Sequence, residues 1–194
     1  MQMGEKRTSM MDLGAPGRLT PEFLAELEPN RSTLFVGPVG SGKTWALRAY
    51  LRQVAAQGGK VWVHTDRPYN WREEYYVDCT TAGLAKGRDI AAAAGAVVDE
   101  RFRKGRGASP EEGIRPLVLA LDGSLWEALR SNSPLSQEMA DRLERILRLG
   151  RSVDVHLAAT VYRLGQVLAM PTAMRDLFTQ VVVCDNTKFT VSKY

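Results

Sequence analysis

One short segment constrains the fold of this 194-residue chain more than any other. Residues 33–44 read TLFVGPVGSGKT, an apolar run followed by a loop that fits the pattern G-x-x-x-x-G-K-[ST]. Glycines let backbone N–H groups turn inward around phosphate oxygens, and the helix that follows adds the partial positive charge of its N-terminus. The order strand, loop, helix therefore predicts a phosphate-binding loop, whereas a glycine-rich turn without function leaves that order unexplained.

The predicted nucleotide site comprises the loop and the start of the helix: Gly37, Pro38, Val39, Gly40, Ser41, Gly42, Lys43 and Thr44. We expect Lys43 to contact the β- and γ-phosphates of ATP and the Thr44 hydroxyl to bind Mg²⁺. A second metal ligand is predicted at Asp122, which ends the apolar run 116–122. Such a run is typical of a strand that is buried on both faces of a parallel sheet. The alternative is that Asp122 only caps the next turn.

Hydrolysis also needs a group that orients the attacking water. The residue after Asp122 is Gly123, where many ATPases of this kind carry glutamate. Two other carboxylates are candidate catalytic groups, Glu127 about one helical turn later and Asp66 after the predicted strand 60–65. The longer side chain of Glu127 favours it slightly, and a structural role is the alternative for both.

The remaining pattern alternates strands and helices, which predicts an α/β domain with a mostly parallel sheet and right-handed crossovers. Strands are predicted at residues 33–36, 60–65, 116–122, 155–160 and 180–184. Helices are predicted at 21–27, after the glycine loop, from a cap at Asp89 to Arg103, and from Ser133 or Ser136 to Gly150. We assign residues 1–32 to an N-terminal tail with a short helix and residues 33–194 to one ATPase core domain.

Composition limits the other possibilities. No stretch has the length and hydrophobicity of a membrane span, and the N-terminus does not resemble a secretory signal, so a cytoplasmic location is expected. Cys79 and Cys184 lie far apart and lack the spacing of a zinc site. The net charge of +4 is compatible with nucleic-acid binding but too small to establish it.

Several later segments resemble the FtsK/HerA superfamily of DNA-pumping ATPases, from about residue 33 to residue 185. Residues 64–68, HTDRP, are similar to that family's second-strand motif, and residues 117–122 to its Walker B strand. Residues 149–160, LGRSVDVHLAAT, are similar to its A-R-A-x-G-I-H-L-x-x-A-T stretch. Residues 170–175 and a strand ending at 184 follow in the same order. The resemblance implies a RecA-like P-loop NTPase fold that binds ATP and Mg²⁺.

The same family assembles as hexameric rings in which an arginine of one subunit reaches the γ-phosphate held by its neighbour. Arg151 matches that arginine, and Arg175 is the second choice. The alternative for Arg151 is a solvated arginine at a helix end. Val161 stands where the family has a γ-phosphate-sensing glutamine, so turnover is expected to be slow unless other residues, Tyr162 among them, substitute.

The resemblance implies an ATP-driven translocase of double-stranded DNA. A motor of this length is most similar to the genome-packaging ATPases of membrane-containing icosahedral viruses, which implies a capsid or membrane-vertex partner and a virion-associated or cytoplasmic location. A plasmid-transfer or chromosome-partition motor, a nucleotide-binding assembly factor and a small-molecule kinase with a lid at residues 104–115 are the alternatives. Candidate DNA contacts are the basic segment 101–106, or else a solvated helix end, and the aromatic segment 67–76.

Overall fold

A computed structural model describes residues 19–105, 115–129, 133–161, 172–185 and 188–194. Three groups of predictions lie outside these residues. They are most of the tail 1–32, most of the lid 104–115 with Arg106, and the segment that begins at Tyr162. The boundary between residues 32 and 33 stays a prediction, and in the structure Phe23 and Leu27, which precede it, are buried in a core cluster shared with the helix after the glycine loop.

Seven strands form one sheet in the order β3-β2-β4-β5-β1-β6-β7. Their bounds are β1 Thr33–Val36, β2 Lys60–Thr65, β3 Cys79–Thr81, β4 Leu117–Asp122, β5 Val155–Val161, β6 Gln180–Cys184 and β7 Phe189–Lys193. Strands β1 to β6 are parallel, and β7 pairs antiparallel with β6. The RecA-like P-loop NTPase fold expected from the sequence is confirmed.

The central strands are mostly apolar because helices cover both of their faces. Every residue of β1, β4 and β5 is buried, as continuous runs of Leu, Val and Ala predict. The sequence did not reveal β3 and β7, which are the two outermost strands. Both are partly exposed, so neither carries an apolar run that would identify it.

Six helices accompany the sheet within the described residues: α1 Pro21–Glu26, α2 Lys43–Ala56, α3 Leu84–Arg103, α4 Leu125–Leu129, α5 Pro134–Leu149 and α6 Thr172–Arg175. The N-cap of α5 is Ser133, whose Oγ accepts the Ser136 N–H at 3.1 Å, so Ser133 is the right choice between the two predicted starts. Helices α3 and α5 pack on one face of the sheet and α1 and α2 on the other.

The predicted start of α3 at Asp89 is wrong, because the helix begins at Leu84. The added turn contains Gly87, a poor helix former. A Cβ at Gly87 would lie 3.1 Å from the imidazole ring of His64 on β2. Gly87 therefore lies inside α3 despite its poor helix propensity, and its lack of a side chain lets the helix pack closely on the sheet.

The shared direction of the parallel strands divides the sheet into two edges. We call the side where β1, β2, β4 and β5 end the carboxyl edge, and the side where they begin the amino edge. Ligands of open α/β sheets bind at the carboxyl edge. Among the described residues, no helix is long and apolar enough to cross a membrane.

Candidate nucleotide-binding site

The loop after β1 follows a path that only glycine permits at several positions. A Cβ at Gly37 would overlap the carbonyl oxygen of Cys184 at the end of β6 and would lie 2.6 Å from Ser41 Oγ. Gly40 and Gly42 have φ values of +79° and +89°, in the left-handed region that favours glycine. The three glycines of the predicted motif are thus required by the backbone, and the loop protrudes with Val39 72% exposed.

Helix α2 begins directly after this loop, with Gly42 as an N-cap that supplies no side-chain hydrogen bond. The first-turn N–H groups of a helix have no intrahelical acceptors, and together with the helix dipole they attract anions. Lys43, the first residue of α2, is buried, and its Nζ donates to the carbonyl oxygens of Gly37 at 2.9 Å and Pro38 at 2.6 Å. Burial lowers the pKa of Lys43, and nearby Cys184 and Asp122 oppose that shift.

Thr44 and Asp122 meet at the carboxyl edge, as the predicted metal site requires. The Thr44 hydroxyl donates to Asp122 Oδ1 at 3.0 Å. Mg²⁺ is bound in such sites by one or two carboxylates, by hydroxyl oxygens and by substrate phosphates. The oxygen donors present therefore fit Mg²⁺. Within the part of the chain that the structure describes, no group of three or more His, Cys, Asp or Glu side chains could hold a metal ion.

Two further side chains bind the Asp122 carboxylate, and sequence reasoning assigned neither of them. Thr160 Oγ1 donates to Asp122 Oδ1 at 3.0 Å, and Trp71 Nε1 donates to Oδ2 at 3.2 Å. The Thr160 hydroxyl also accepts the N–H of Gly123 at 3.1 Å. Burial raises the pKa of Asp122, the bonds from Thr44, Thr160 and Trp71 oppose that rise, and the charge of Asp66 adds to it.

Trp71 reaches Asp122 because the segment after β2 folds back onto α2. A short 3-10 helix, Pro68–Trp71, ends in the indole, which is 2% exposed. The Arg48 guanidinium of α2 lies 5.1 Å from the centre of the Trp71 ring, and its Nε lies 3.4 Å from a Glu74 carboxylate oxygen. Polar residues of α2 thus hold the segment in place.

The prediction that the aromatic residues of this segment contact DNA needs correction for two of them. Trp71 and Tyr76 are buried, at 2% and 9% exposure, so their rings do not face a nucleic acid. Tyr69 and Tyr75 are 62% and 96% exposed and remain candidates.

The two candidate bases lie at the same edge of the sheet. Asp66 follows β2 directly, and because Thr65 pairs with Asp122 in register, Asp66 leaves the sheet beside Gly123. The chain coils soon after Asp122, since α4 begins at Leu125 and includes the backbone of Glu127. The side chain of Glu127 lies outside the described residues, so its role stays a prediction.

Arg151 is not part of this chain's own nucleotide site. It is exposed in a 3-10 helix, Gly150–Val153, that precedes β5 at the amino edge. The seven residues of β5 place it roughly 20 Å from the carboxyl edge at 3.3 Å per residue. The second choice, Arg175, ends α6 and pairs with Asp176 at 2.9 Å.

Arg101, the first residue of the predicted basic DNA-contact segment, has a structural role. Its guanidinium donates to three backbone carbonyls, those of Val153 at 2.8 Å, Asp154 at 2.9 Å and Arg115 at 2.7 Å. These bonds connect the end of α3 to the loops that precede β4 and β5. Three donors of Arg101 are therefore engaged with the protein's own backbone, and a DNA contact at this residue stays a prediction.

No protein-family model matches the chain, and no curated protein matches its sequence. Solved structures do match. The pCW3 conjugation coupling protein TcpA, in its monomer form with ATPγS, has a TM-score of 0.67 and 16% identity over 81% of this chain and 50% of that chain. EssC ATPases 2 and 3 from Geobacillus thermodenitrificans have a TM-score of 0.60 and 12% identity over 82% and 33%. The genome packaging NTPase B204 from Sulfolobus turreted icosahedral virus 2, in complex with ATP-γS, has a TM-score of 0.50 and 11% identity over 81% of this chain and 75% of that chain.

These likenesses establish the fold. That fold agrees with the one implied by the resemblance of the sequence motifs to the FtsK/HerA ATPases. The chain spans half or less of the length of the first two structures. The activities of those longer proteins therefore enter only as support for a proposal.

Proposed function

We propose that this chain is an ATP-hydrolysing motor that moves double-stranded DNA. The observation that carries the nucleotide part is the pairing of Thr44 with Asp122 at 3.0 Å beside the phosphate-binding loop. Residues 37–44 bind the triphosphate, Lys43 contacts its β- and γ-phosphates, and Thr44 and Asp122 hold the Mg²⁺. When bound, Mg²⁺ neutralises negative charge on the phosphate oxygens.

The protein's own residues hold the nucleotide in one geometry. The N–H groups of the loop and of the first turn of α2 orient the phosphate oxygens. Asp122 is buried and accepts three side-chain hydrogen bonds, so its carboxylate is held in one orientation. Supporting contacts of this kind typically raise metal affinity or activity by about 10- to 100-fold.

In this proposal, a second copy of the chain completes the site. Arg151 lies roughly 20 Å from its own phosphate-binding loop, which is farther than an arginine side chain extends. Its exposed guanidinium could act on a γ-phosphate only in a neighbouring copy, as in the hexameric rings of the resembled family. There it would stabilise negative charge on the transferred phosphoryl group.

The DNA part rests on the family resemblance and on two structural neighbours whose names describe conjugation and genome packaging. The exposed surface of the segment after β2 supports it, because Tyr69 and Tyr75 are interspersed with the exposed side chains of Arg67 and Arg72. Arginines attract phosphates, and exposed aromatic rings can contact a nucleic acid at its sugars and bases.

The direct test is the ATPase rate with and without duplex DNA, together with the mass of the protein in the presence of nucleotide. We expect duplex DNA to raise turnover several-fold and nucleotide to favour a multimer. ATP binding without turnover under any of these conditions would favour a nucleotide-binding assembly factor. DNA-independent transfer of the γ-phosphate to a small molecule would instead identify a kinase.

The shared site has its own test. Arg151→Ala should bind ATP but lose hydrolysis, and mixing it with Lys43→Ala should restore part of the activity at hybrid interfaces. Arg148→Ala is the matched control, since Arg148 is also exposed near the end of α5 and, among the described residues, pairs with Glu144 on its own helix. Co-assembly of the two variants without any recovered activity would exclude Arg151 as a residue acting on the neighbour.

Two biological settings fit this motor. Viral genome packaging, with a capsid or membrane-vertex partner, follows from the sequence resemblance. Plasmid transfer is the second candidate, because the conjugation protein has the higher TM-score, 0.67 against 0.50 for the packaging NTPase. Binding of the chain to purified capsid shells would support genome packaging, and its absence would favour plasmid transfer.

A further inference from the structure

A side chain on the residue after Asp122 would begin where the Asp66 carboxylate lies, so Asp66 would have to move. Gly123 has a φ of +129°, and a Cβ built on it would lie 2.7 Å from Cγ of Asp66 and closer still to Asp66 Oδ1. This separation is well inside the roughly 3.5–4.0 Å at which carbon atoms pack. The Asp66 carboxylate therefore occupies the volume in which any side chain at position 123 would begin.

The sheet register explains this close approach. Strands β2 and β4 are parallel neighbours, and Thr65 lies opposite Asp122. The next residue of each strand, Asp66 and Gly123, consequently leaves the carboxyl edge at the same level. A carboxylate is thus present beside Asp122, but it belongs to Asp66, which follows β2. The residue that follows β4 is Gly123, which has no side chain.

The two carboxylates at this edge differ in what surrounds them. Asp122 is 6% exposed, and its oxygens accept bonds from Thr44, Thr160 and Trp71. Asp66 is exposed, and among the described residues its carboxylate has no hydrogen bond or ion pair. Neighbouring carboxylates in different environments commonly take different chemical roles. The engaged one is suited to hold a metal, and the open one to bind water.

We propose that Asp66 is the general base for ATP hydrolysis and replaces the glutamate that position 123 lacks. This inference rests on the proposed function. The oxygen of a water molecule hydrogen-bonded to Asp66 forms a bond to the γ-phosphorus, and the bond from that phosphorus to the β,γ-bridging oxygen breaks. The water proton passes to the Asp66 carboxylate and then to the departing phosphate, so the base is regenerated.

The decisive variant is Asp66→Asn, which preserves shape and removes the proton acceptor. We expect turnover to fall by about a hundredfold or more, with ATP affinity within about threefold of the unmodified protein. Asp66→Glu should recover part of the rate because it restores a carboxylate. The matched control is Asp141→Asn, an exposed aspartate of α5 outside the proposed binding segments, and it should leave turnover unchanged.

Glu127→Gln separates the two candidate bases. If Glu127→Gln abolishes turnover and Asp66→Asn does not, the proposal is overturned and Glu127 is the base. If the unmodified protein binds ATP but shows no turnover even with duplex DNA, the proposed function fails and the role of Asp66 fails with it. If the unmodified protein is active and Asp66→Asn has normal turnover, the role of Asp66 as the base is overturned and the proposed function is not.

A second measurement, which does not depend on catalysis, tests whether the Asp66 carboxylate and a side chain at position 123 compete for the same volume. Gly123→Ala should raise the unfolding equilibrium constant in the unmodified protein, and by less when Asp66 is already alanine. The backbone strain at a φ of +129° is common to both backgrounds, so the cycle isolates the contact. We expect a coupling of at least about threefold in that constant. Additive effects would show that the side chains do not compete, which would overturn the replacement argument.

Discussion

The two edges of this sheet use similar polar residues in opposite ways. At the carboxyl edge, Asp122 accepts hydrogen bonds from three side chains, which orient its carboxylate beside the candidate phosphate-binding loop. At the amino edge, Arg101 donates to three backbone carbonyls and so serves the protein itself. A basic residue in a charged run should therefore be assigned to nucleic-acid binding only after its hydrogen bonds within the protein have been identified.

The difference follows from what each edge must satisfy. At the amino edge, the loops before β4 and β5 expose carbonyl groups near the core, and buried or half-buried carbonyls need donors. At the carboxyl edge, α2 begins directly after the glycine loop, and the first-turn N–H groups of a helix lack intrahelical acceptors, which an anionic ligand can supply. Substitutions at the amino edge should therefore change stability, and substitutions at the carboxyl edge should change activity.

The largest expected effect is at the carboxyl edge. Lys43→Ala should reduce ATP turnover by about a hundredfold or more, because the lysine stabilises phosphate charge in the transition state. Lys60→Ala is the control, since Lys60 is an exposed lysine at the amino edge where β2 begins. ATPase assays and circular dichroism on both variants would check this. Unchanged ATP affinity and rate in folded Lys43→Ala would contradict the nucleotide site.

The next effect is at the amino edge. Arg101→Ala leaves three carbonyls without their charged donor, so the free energy of unfolding should fall by about 2–3 kcal/mol. Turnover per folded molecule should not change, because the bonds lie away from the nucleotide. Arg103→Ala, exposed at the same helix end, should shift the unfolding free energy by less than about 0.5 kcal/mol. Denaturant titration measures both, and equal shifts would count against the bracing role of Arg101.

A smaller effect tests whether the Trp71 indole positions Asp122. Trp71→Phe keeps an aromatic ring beneath Arg48 but removes the N–H that Asp122 Oδ2 accepts at 3.2 Å. We expect turnover to fall about tenfold, equivalent to roughly 1.4 kcal/mol. The Mg²⁺ concentration needed for half-maximal turnover should rise. Trp62→Phe on β2 is the control, and an unchanged Mg²⁺ dependence in Trp71→Phe would show that the indole only fills space.

The smallest effect concerns pH and His64, whose Nδ1 lies 3.0 Å from Thr81 Oγ1. Burial lowers the pKa of His64, and the charge of Asp66 opposes that shift. As pH falls through about 6.5, the unfolded chain therefore takes up a proton that the folded protein resists, and stability decreases. His64→Gln should lack this decrease, so the stability difference between the two proteins should change below that pH. Parallel unfolding curves from pH 7.5 to 5 would contradict this.

Local patterns predicted the main elements well. The strand bounds at 33–36, 60–65 and 180–184 agree with the structure, and so do the cap of α5 at Ser133 and the place of the glycine loop between β1 and α2. Phosphate binding by that loop stays a prediction. Each of the features that agree is encoded by neighbouring residues: an apolar run for a buried strand, a capping hydroxyl, or glycines at left-handed positions. The exposed outer strands β3 and β7 carried no such pattern.

The sequence by itself thus determined the fold class and the residues that begin the nucleotide site. Only the tertiary structure decided which side chains complete the surroundings of Asp122 and which stay structural. Trp71 and Thr160, which bind Asp122, are 51 and 38 positions away in the chain. Asp66 adjoins Gly123 only because β2 and β4 pair in one register. Register and edge are set by packing of the whole sheet, and no local pattern of residues contains that information.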